Sequence, residues 1–358
     1  MDIRGRSLYL SQPQKDNVYL YGCGELGLIA KDFFIRFSVP FIPVDSDPSY
    51  QNKRPEWSGH HVVPIEDVPK DAEIVICIST YPTSLLQSKL SNLGYKNVTP
   101  LFKKIHSVKG NSPDIIKSDW IASGKEEIGR VIERLFDKKS VDHFLQFYKW
   151  HTSFTEDDGY TVDTKNRYFI DEIKEVITEN ETFVDVGAYD GRVSKKFAEL
   201  VKNKYNNIYC IEGDPITAER LKKDLVEIDR LFVINTIVGE TDGTVGFITN
   251  MGYLSSIDNR SNNIYKMEKL DSLDCINKPT FIKYHLEGGE LSAIKGSIQT
   301  LKTNRPIVVV TSYHTIDGLL DLPSYLMENL AEYRFIWRNH NYQGQGSVIY
   351  CIPNERYK

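Results

Sequence analysis

The sequence is sparing in several features that would each narrow its function. Its 358 residues hold five cysteines, and Cys23, Cys77, Cys210, Cys275 and Cys351 lie far apart, mostly inside strand-like apolar runs. That spacing points to buried reduced thiols rather than a zinc cluster or a disulfide frame. No apolar run approaches the roughly 20 residues that a membrane span needs. The stretch "MDIRGRSLYLSQPQKDN" has no apolar core of the signal-peptide kind, so the expectation is a cytoplasmic protein with no membrane span. Basic charge is not in excess, with 44 Lys and Arg against 49 Asp and Glu and a net charge of -5, which leaves no electrostatic reason to expect a nucleic-acid partner. Fixed-period repeats and low-complexity tracts are also absent.

What is present is an ordinary globular composition, 41% hydrophobic and 26% charged, over a length that predicts two compact domains. Short β-rich runs alternate with helical spacing from "NVYLYG" to "NVTP", the pattern of a small, mostly parallel sheet. Periodicity fades over 106–124, and two helices are expected in "KEEIGRVIERLFDKKSVDHFLQFYKWHTSF". From "ETFVDVGAYDG" the β/α alternation restarts and runs through "GTVGFIT", "TFIKYH" and "PIVVVTSYH". It ends in "RFIWRNH" and "SVIYCIP", whose short connection predicts an antiparallel hairpin. The expected division is a small Rossmann-like domain of nucleotide-binding type over 1–110, a linker and helical lead-in over 111–180, and a second α/β domain over 181–358.

Two glycine loops follow strands. Gly22, Gly24 and Gly27 meet the G-x-G-x-x-G spacing at a helix start, with Asp45 about twenty residues on. Glycines let a backbone approach a phosphate, and the helix N-terminus favours its charge. A bound nucleotide or nucleotide-sugar is one reading of this loop, and a purely structural turn, which the same glycines also suit, is the other. The second loop, "VDVGAYDG", places Asp185, Gly187, Ala188, Asp190 and Gly191 between strand and helix, with Glu212 ending the next strand. Acidic groups around the turn disfavour a pyrophosphate and suit a cationic amine and sulfonium, while Glu212 lies where a ribose diol would sit. S-adenosyl-L-methionine (SAM) has all of these groups.

The segment from about 130 to 358 resembles the FkbM family of class I SAM-dependent methyltransferases. The likeness runs in order through "DKKSVDHFLQFYKW", "FVDVGAYDG", "IYCIEGDP", "KLDSL", "FIKYHLEGGELSAIKG", "PIVVVTSYH" and "WRNHN". The resemblance implies a class I methyltransferase Rossmann-like sheet finished by an antiparallel hairpin, preceded by a smaller Rossmann-like α/β domain. It also implies O-methylation of a hydroxyl on a sugar, glycan or polysaccharide precursor. Carried over by position, Asp185, Gly187, Asp190 and Gly191 shape the methionine end of the cofactor pocket and Glu212 holds the ribose. The N-terminal part is similar, over "YGCGELG" and "VPFIPVDSDPS", to small Rossmann-like domains attached to bacterial sugar-modifying enzymes.

Strand ends then gather the candidate reactive groups His285, Glu287, His314 and His340. A histidine there suits removal of an acceptor proton, and a divalent metal held by the same groups is the other chemistry they offer. Glu290 reads as a first-turn helix carboxylate, Ser255 and Ser256 as candidates for the acceptor pocket, and Tyr168 as either a lid on the cofactor site or core packing. His285 departs from the resemblance, which leads one to expect aspartate there while Lys283, Glu287 and Gly288 stay in place. The alternatives are a methyltransferase-like binding or regulatory module without turnover and, ranked last, an NAD-dependent or nucleotide-sugar enzyme using the N-terminal loop. The latter lacks a Tyr-x-x-x-Lys or similar hydride-transfer constellation. Metal requirement, acceptor identity and homo-oligomerisation stay open.

Overall fold

A computed structural model describes residues 17–109, 125–248, 256–257 and 263–357. The chain divides into two compact units. Among described residues the first holds 17–109, Tyr148–Val162 and Asn341–Gln345, and the second holds the remainder.

In the first unit, four short runs form strands β1 (Val18–Tyr21), β2 (Phe41–Val44), β3 (Glu73–Ile76) and β4 (Asn97–Pro100). They pair in parallel in the order β2-β1-β3-β4. β1 and β2 are buried at every residue, as strands covered on both faces must be. The helix Glu25–Arg36 follows β1 and buries Leu26, Ala30 and Phe34 at four-residue spacing, one stripe of a 3.6-residue period.

The second unit is organised by seven strands: β5 (Thr182–Val186), β6 (Asn207–Glu212), β7 (Leu231–Asn235), β12 (Phe281–Tyr284), β13 (Ile307–Thr311), β14 (Tyr333–Asn339) and β15 (Ser347–Pro353). Their order is β14-β15-β13-β12-β5-β6-β7. The five strands from β13 to β7 are parallel, whereas β15 runs antiparallel to both β13 and β14. The predicted terminal hairpin is therefore present, and its strand inserts between β13 and β14. Phe183, Phe197, Phe281 and Phe169 pack at the heart of this unit, with the Phe183 and Phe197 rings stacked at 4.4 Å. Such a pair adds about 1 kcal/mol beyond its area burial.

One stretch departs from the expected alternation. Strands β8 (Ile237–Val238), β9 (Gly243–Ile248), β10 (Ser256–Ile257) and β11 (Ile264–Glu268) form a separate sheet in the order β10-β9-β11-β8. A parallel crossover needs about a dozen residues, and the link from Val238 to Gly243 is far shorter, so β9 does not pair with β8; β11, reached over a longer connection, pairs with β8 in parallel and with β9 antiparallel.

The lead-in helix Lys138–Ser153 begins against β14. Arg338, 2% exposed, donates to Asp137 at 2.7 Å and to Ser140 Oγ at 2.7 Å, while Ser140 Oγ also accepts from Trp337 N at 3.0 Å. Asn339 N donates to His143 Nδ1 at 2.8 Å. The segments "DKKSVDHF" and "WRNHN" are thus two halves of one polar clamp.

Candidate functional site

β5 ends in a buried carboxylate and a turn. Asp185 accepts from the Lys283 ammonium at 2.8 Å and from Ser194 Oγ at 2.8 Å, and it is fully buried. Lys283 donates in addition to the Gly187 carbonyl at 2.8 Å. Asp185 therefore acts on the loop through Lys283. Gly187 has φ +76, and a Cβ there would lie 2.0 Å from the backbone oxygen of His285, so only glycine fits. The amides of Gly187 and Ala188 both donate to the Ile211 carbonyl, at 2.9 and 3.0 Å, which stitches the turn to β6.

Glu212 ends β6 and accepts from Tyr189 N and Asp214 N, each at 2.9 Å. Burial pushes its carboxyl pKa up. Each carboxylate oxygen still has a lone pair for a hydroxyl donor. Asp190 is about one third exposed and pairs with Arg192 at 2.5 Å. Gly191, in the left-handed conformation, opens the helix Arg192–Leu200.

Beyond β12 the chain makes a tight turn in which Glu287 has φ +48 and Gly288 φ +105. Positive φ is unusual for a glutamate and marks a conformation that its surroundings impose. The imposing group is Glu290, whose carboxylate accepts from Leu286 N at 3.0 Å and Gly288 N at 2.9 Å. Glu290 also receives Thr311 Oγ1 at 2.8 Å and meets His314 Nδ1 at 2.6 Å. It is a hub as well as a first-turn helix residue.

The turn brings His285, Glu287 and His314 together. His285 Nε2 lies 3.1 Å from Glu287 Oε1, and His314 Nε2 lies 3.4 Å from Glu287 Oε2. The two imidazoles stack with centroids 5.0 Å apart. Tyr168 O–H meets His285 Nδ1 at 2.7 Å, and Tyr313 O–H lies 3.3 Å from His285 Nε2. The side chains of His285 and Glu287 are 21% and 22% exposed against 9% for His314, so the cluster is open on one side. Burial pushes the His285 pKa down. Burial pushes His314 the same way, but Glu290 and Glu287 outweigh it and raise that pKa.

His340 makes other bonds. Its Nδ1 meets the Asp163 carbonyl at 2.5 Å and its Nε2 meets Tyr350 O–H at 2.6 Å, and burial lowers its pKa to about 4. Ser255 lies outside the described residues, as does the side chain of Ser256. In the first unit, Gly27 packs so closely that a Cβ would lie 2.0 Å from the Gly22 carbonyl, whereas Gly24 borders open space. Asp45 accepts from Cys23 N at 2.8 Å and Asp47 N at 3.0 Å.

Sequence reasoning passed over Arg167, Tyr313 and Thr311, and it gave Glu290 too small a part. Arg167 is half-buried beside the Tyr313 ring, 6.0 Å from its centroid. Nothing in "KNRYFI" distinguishes it from a surface arginine.

The crystal structure of the methyltransferase FkbM from Methylobacillus flagellatus KT superposes with a TM-score of 0.67 at 18% identity, over 95% of this chain and 91% of that one. The chain has an FkbM-like fold. The FkbM likeness extends over both the small Rossmann-like domain and the class I methyltransferase sheet, and at that identity it is a likeness of fold. Two partial matches are a precorrin-6y C5,15-methyltransferase from Geobacter metallireducens GS-15 (TM-score 0.33, 15% identity, 55% of this chain and 93% of that one) and a SAM-dependent methyltransferase from Aquifex aeolicus (0.32, 11%, 63% and 97%). Neither bears on function at such TM-scores. No protein-family model matches the chain, and no curated protein matches it in sequence. Among the described residues no helix is long and apolar enough to cross a membrane.

Proposed function

We propose that this chain is a SAM-dependent O-methyltransferase whose acceptor is a hydroxyl of a sugar, a glycan or a polysaccharide precursor. The observation that carries the reading is the contact of Gly187 with the His285 carbonyl, which sets a cofactor-type loop directly beside the histidine–glutamate cluster. Bound SAM supplies a methyl group already activated on a sulfonium, so the protein has to position the acceptor and remove its proton. Glu212 holds the ribose hydroxyls, and Asp190 at the loop edge faces the cofactor's amine. His285, its Nδ1 fixed by Tyr168, offers Nε2 to the acceptor proton, and Glu287, 3.1 Å from that nitrogen, stabilises the imidazolium that forms. The open side of the cluster admits a small or glycan acceptor.

The first unit is proposed to hold a nucleotide or nucleotide-sugar at Gly22–Gly27, with Gly24 facing the open space a phosphate would fill. Cytoplasmic location belongs to the same proposal.

Calorimetry with SAM, NAD and UDP-sugars, followed by mass spectrometry of a metabolite pool incubated with labelled SAM, tests both sites. SAM should bind, Glu212→Gln should weaken it at least tenfold, or about 1.4 kcal/mol, and labelled methyl should appear on a hydroxyl. Absence of SAM binding sinks the reading. Binding without any methylated product favours the module without turnover that the histidine at 285 suggests.

A further inference from the structure

We propose that His285, Glu287 and His314 form a binding site for one divalent transition-metal ion, with His285 Nε2, a Glu287 carboxylate oxygen and His314 Nε2 as its ligands. Among the described residues these three offer donor atoms that all lie within 4.8 Å of one another. Ligands about 2.0–2.1 Å from a tetrahedral ion stand about 3.3 Å apart. The Glu287 contacts to His285 and His314, at 3.1 and 3.4 Å, already have that spacing.

Three further observations fit a metal better than a hydrogen-bonded cluster. His314 Nε2 is buried and makes no hydrogen bond, its approach to Glu287 lacking the required geometry, and its side chain is 9% exposed. Each imidazole has its other nitrogen placed to donate: His285 Nδ1 to the Tyr168 hydroxyl oxygen at 2.7 Å and His314 Nδ1 to Glu290 Oε1 at 2.6 Å. Metal-ligating histidines carry such partners, which fix ring orientation and tautomer. Finally, Glu287 is kept in its left-handed conformation by the bonds that Glu290 takes from Leu286 N and Gly288 N, so the carboxylate is aimed before any ion arrives.

Two nitrogens and one oxygen suit zinc, iron, cobalt or manganese better than magnesium or calcium. Three protein ligands leave a coordination position free, and the exposed side of the cluster is where it would open. Its use there rests on the methyltransferase reading: with the ion bound, His285 Nε2 is a ligand in place of a base, and the free position takes the acceptor hydroxyl and lowers its pKa so that the proton leaves to water at the exposed side. Binding of the ion does not depend on that reading.

The test is titration of chelator-treated full-length protein with ZnCl2 and with MnCl2, by calorimetry and by metal analysis after desalting. Zinc should bind at one ion per chain. His285→Ala and His314→Ala should each weaken it at least 100-fold, and Glu290→Gln by 10–100-fold, the range for an outer-shell partner. Exposed His61 serves as control, and His61→Ala should change nothing. His285→Asp exchanges a nitrogen donor for an oxygen and should lower the zinc-to-manganese affinity ratio at least tenfold. Circular dichroism and SAM titration of each variant establish that it is folded. Absence of stoichiometric zinc binding by the wild type, or its retention in both histidine variants, overturns the site. Zinc binding without SAM binding would uphold it and count against the methyltransferase reading alone.

Discussion

Replacing Lys283 by methionine should cost the second unit about 4 kcal/mol, within the range for breaking a buried ion pair by removing one partner. Lys283 is 2% exposed and Asp185 fully buried, with ammonium and carboxylate 2.8 Å apart. At an effective dielectric near 20 their attraction is about 6 kcal/mol. Methionine fills the space of the lysine stem but leaves Asp185 with the Ser194 hydroxyl as its remaining side-chain donor partner, and it strips the Gly187 carbonyl of its ammonium. With a guanidinium m-value of about 5 kcal/mol/M, the unfolding midpoint should fall by about 0.8 M. Adding Asp185→Leu should recover at least half of the loss, because an apolar pair of similar volume carries no desolvation penalty. Burial pushes the Lys283 pKa down, but Asp185 outweighs it and raises the ammonium above its ordinary value. A raised pKa contributes stability that is complete below about pH 10.4 and is lost only as pH climbs through the folded value. The deficit of Lys283→Met should therefore be flat from about pH 6 to 9. A single variant within 1 kcal/mol of wild type, or a double variant no more stable than the single, would refute the reasoning.

Two other perturbations give contrasting readouts. Gly187→Ala combines left-handed strain of about 1–2 kcal/mol with a collision against the His285 carbonyl, so thermal unfolding should move down and SAM binding should weaken together. Loss of one without the other would separate the loop from the cluster. For acid stability, burial holds His143 and His340 at pKa values of about 4, so both are neutral in the fold. The unfolded chain takes up their protons first, and stability should fall as pH drops from about 6.5 to 4, by up to about 1.4 kcal/mol per pH unit for each group. His143→Gln should flatten that slope in urea titrations at stepped pH; an unchanged slope would assign the acid sensitivity elsewhere.

What could be read along the chain was whatever is local. The strand, glycine turn and helix at 182–200 announce themselves within a few residues, and largely apolar runs such as β13 show parallel strands covered on both faces. The hairpin was visible because its connection is too short for a crossover. The reactive cluster was legible only as candidates, since its supports come from afar: Tyr168 reaches His285 across 117 positions and Glu290 reaches His314 across 24. Arg338 and Asp137 are 201 apart, which is why the ends of the FkbM-like motif looked like candidate chemistry in one case and a helix start in the other. His340 shows the same effect. A histidine at a strand end was visible in the sequence, but the bonds to Asp163 and Tyr350 that occupy both of its nitrogens were not.

The position where resemblance and residue disagree is also the one the fold leaves free to vary. The cofactor-type loop is tied to residue 285 through a backbone carbonyl against Gly187, and the His285 amide donates to the Val186 carbonyl at 3.1 Å. Both contacts are main-chain and indifferent to the side chain borne there. The side chain itself meets Tyr168, Tyr313 and Glu287, all polar groups around an opening to solvent. An aspartate and a histidine can therefore exchange at 285 with little effect on the sheet, the loop or the turn that Glu290 holds. What they change is the donor set at the opening: a carboxylate adds a second anion beside Glu287, whereas an imidazole keeps a lone pair and brings a second ring against His314. Substitution at 285 should then alter metal preference and acceptor chemistry while fold stability stays within about 1 kcal/mol, unlike substitution at Lys283 one turn of the pleat away.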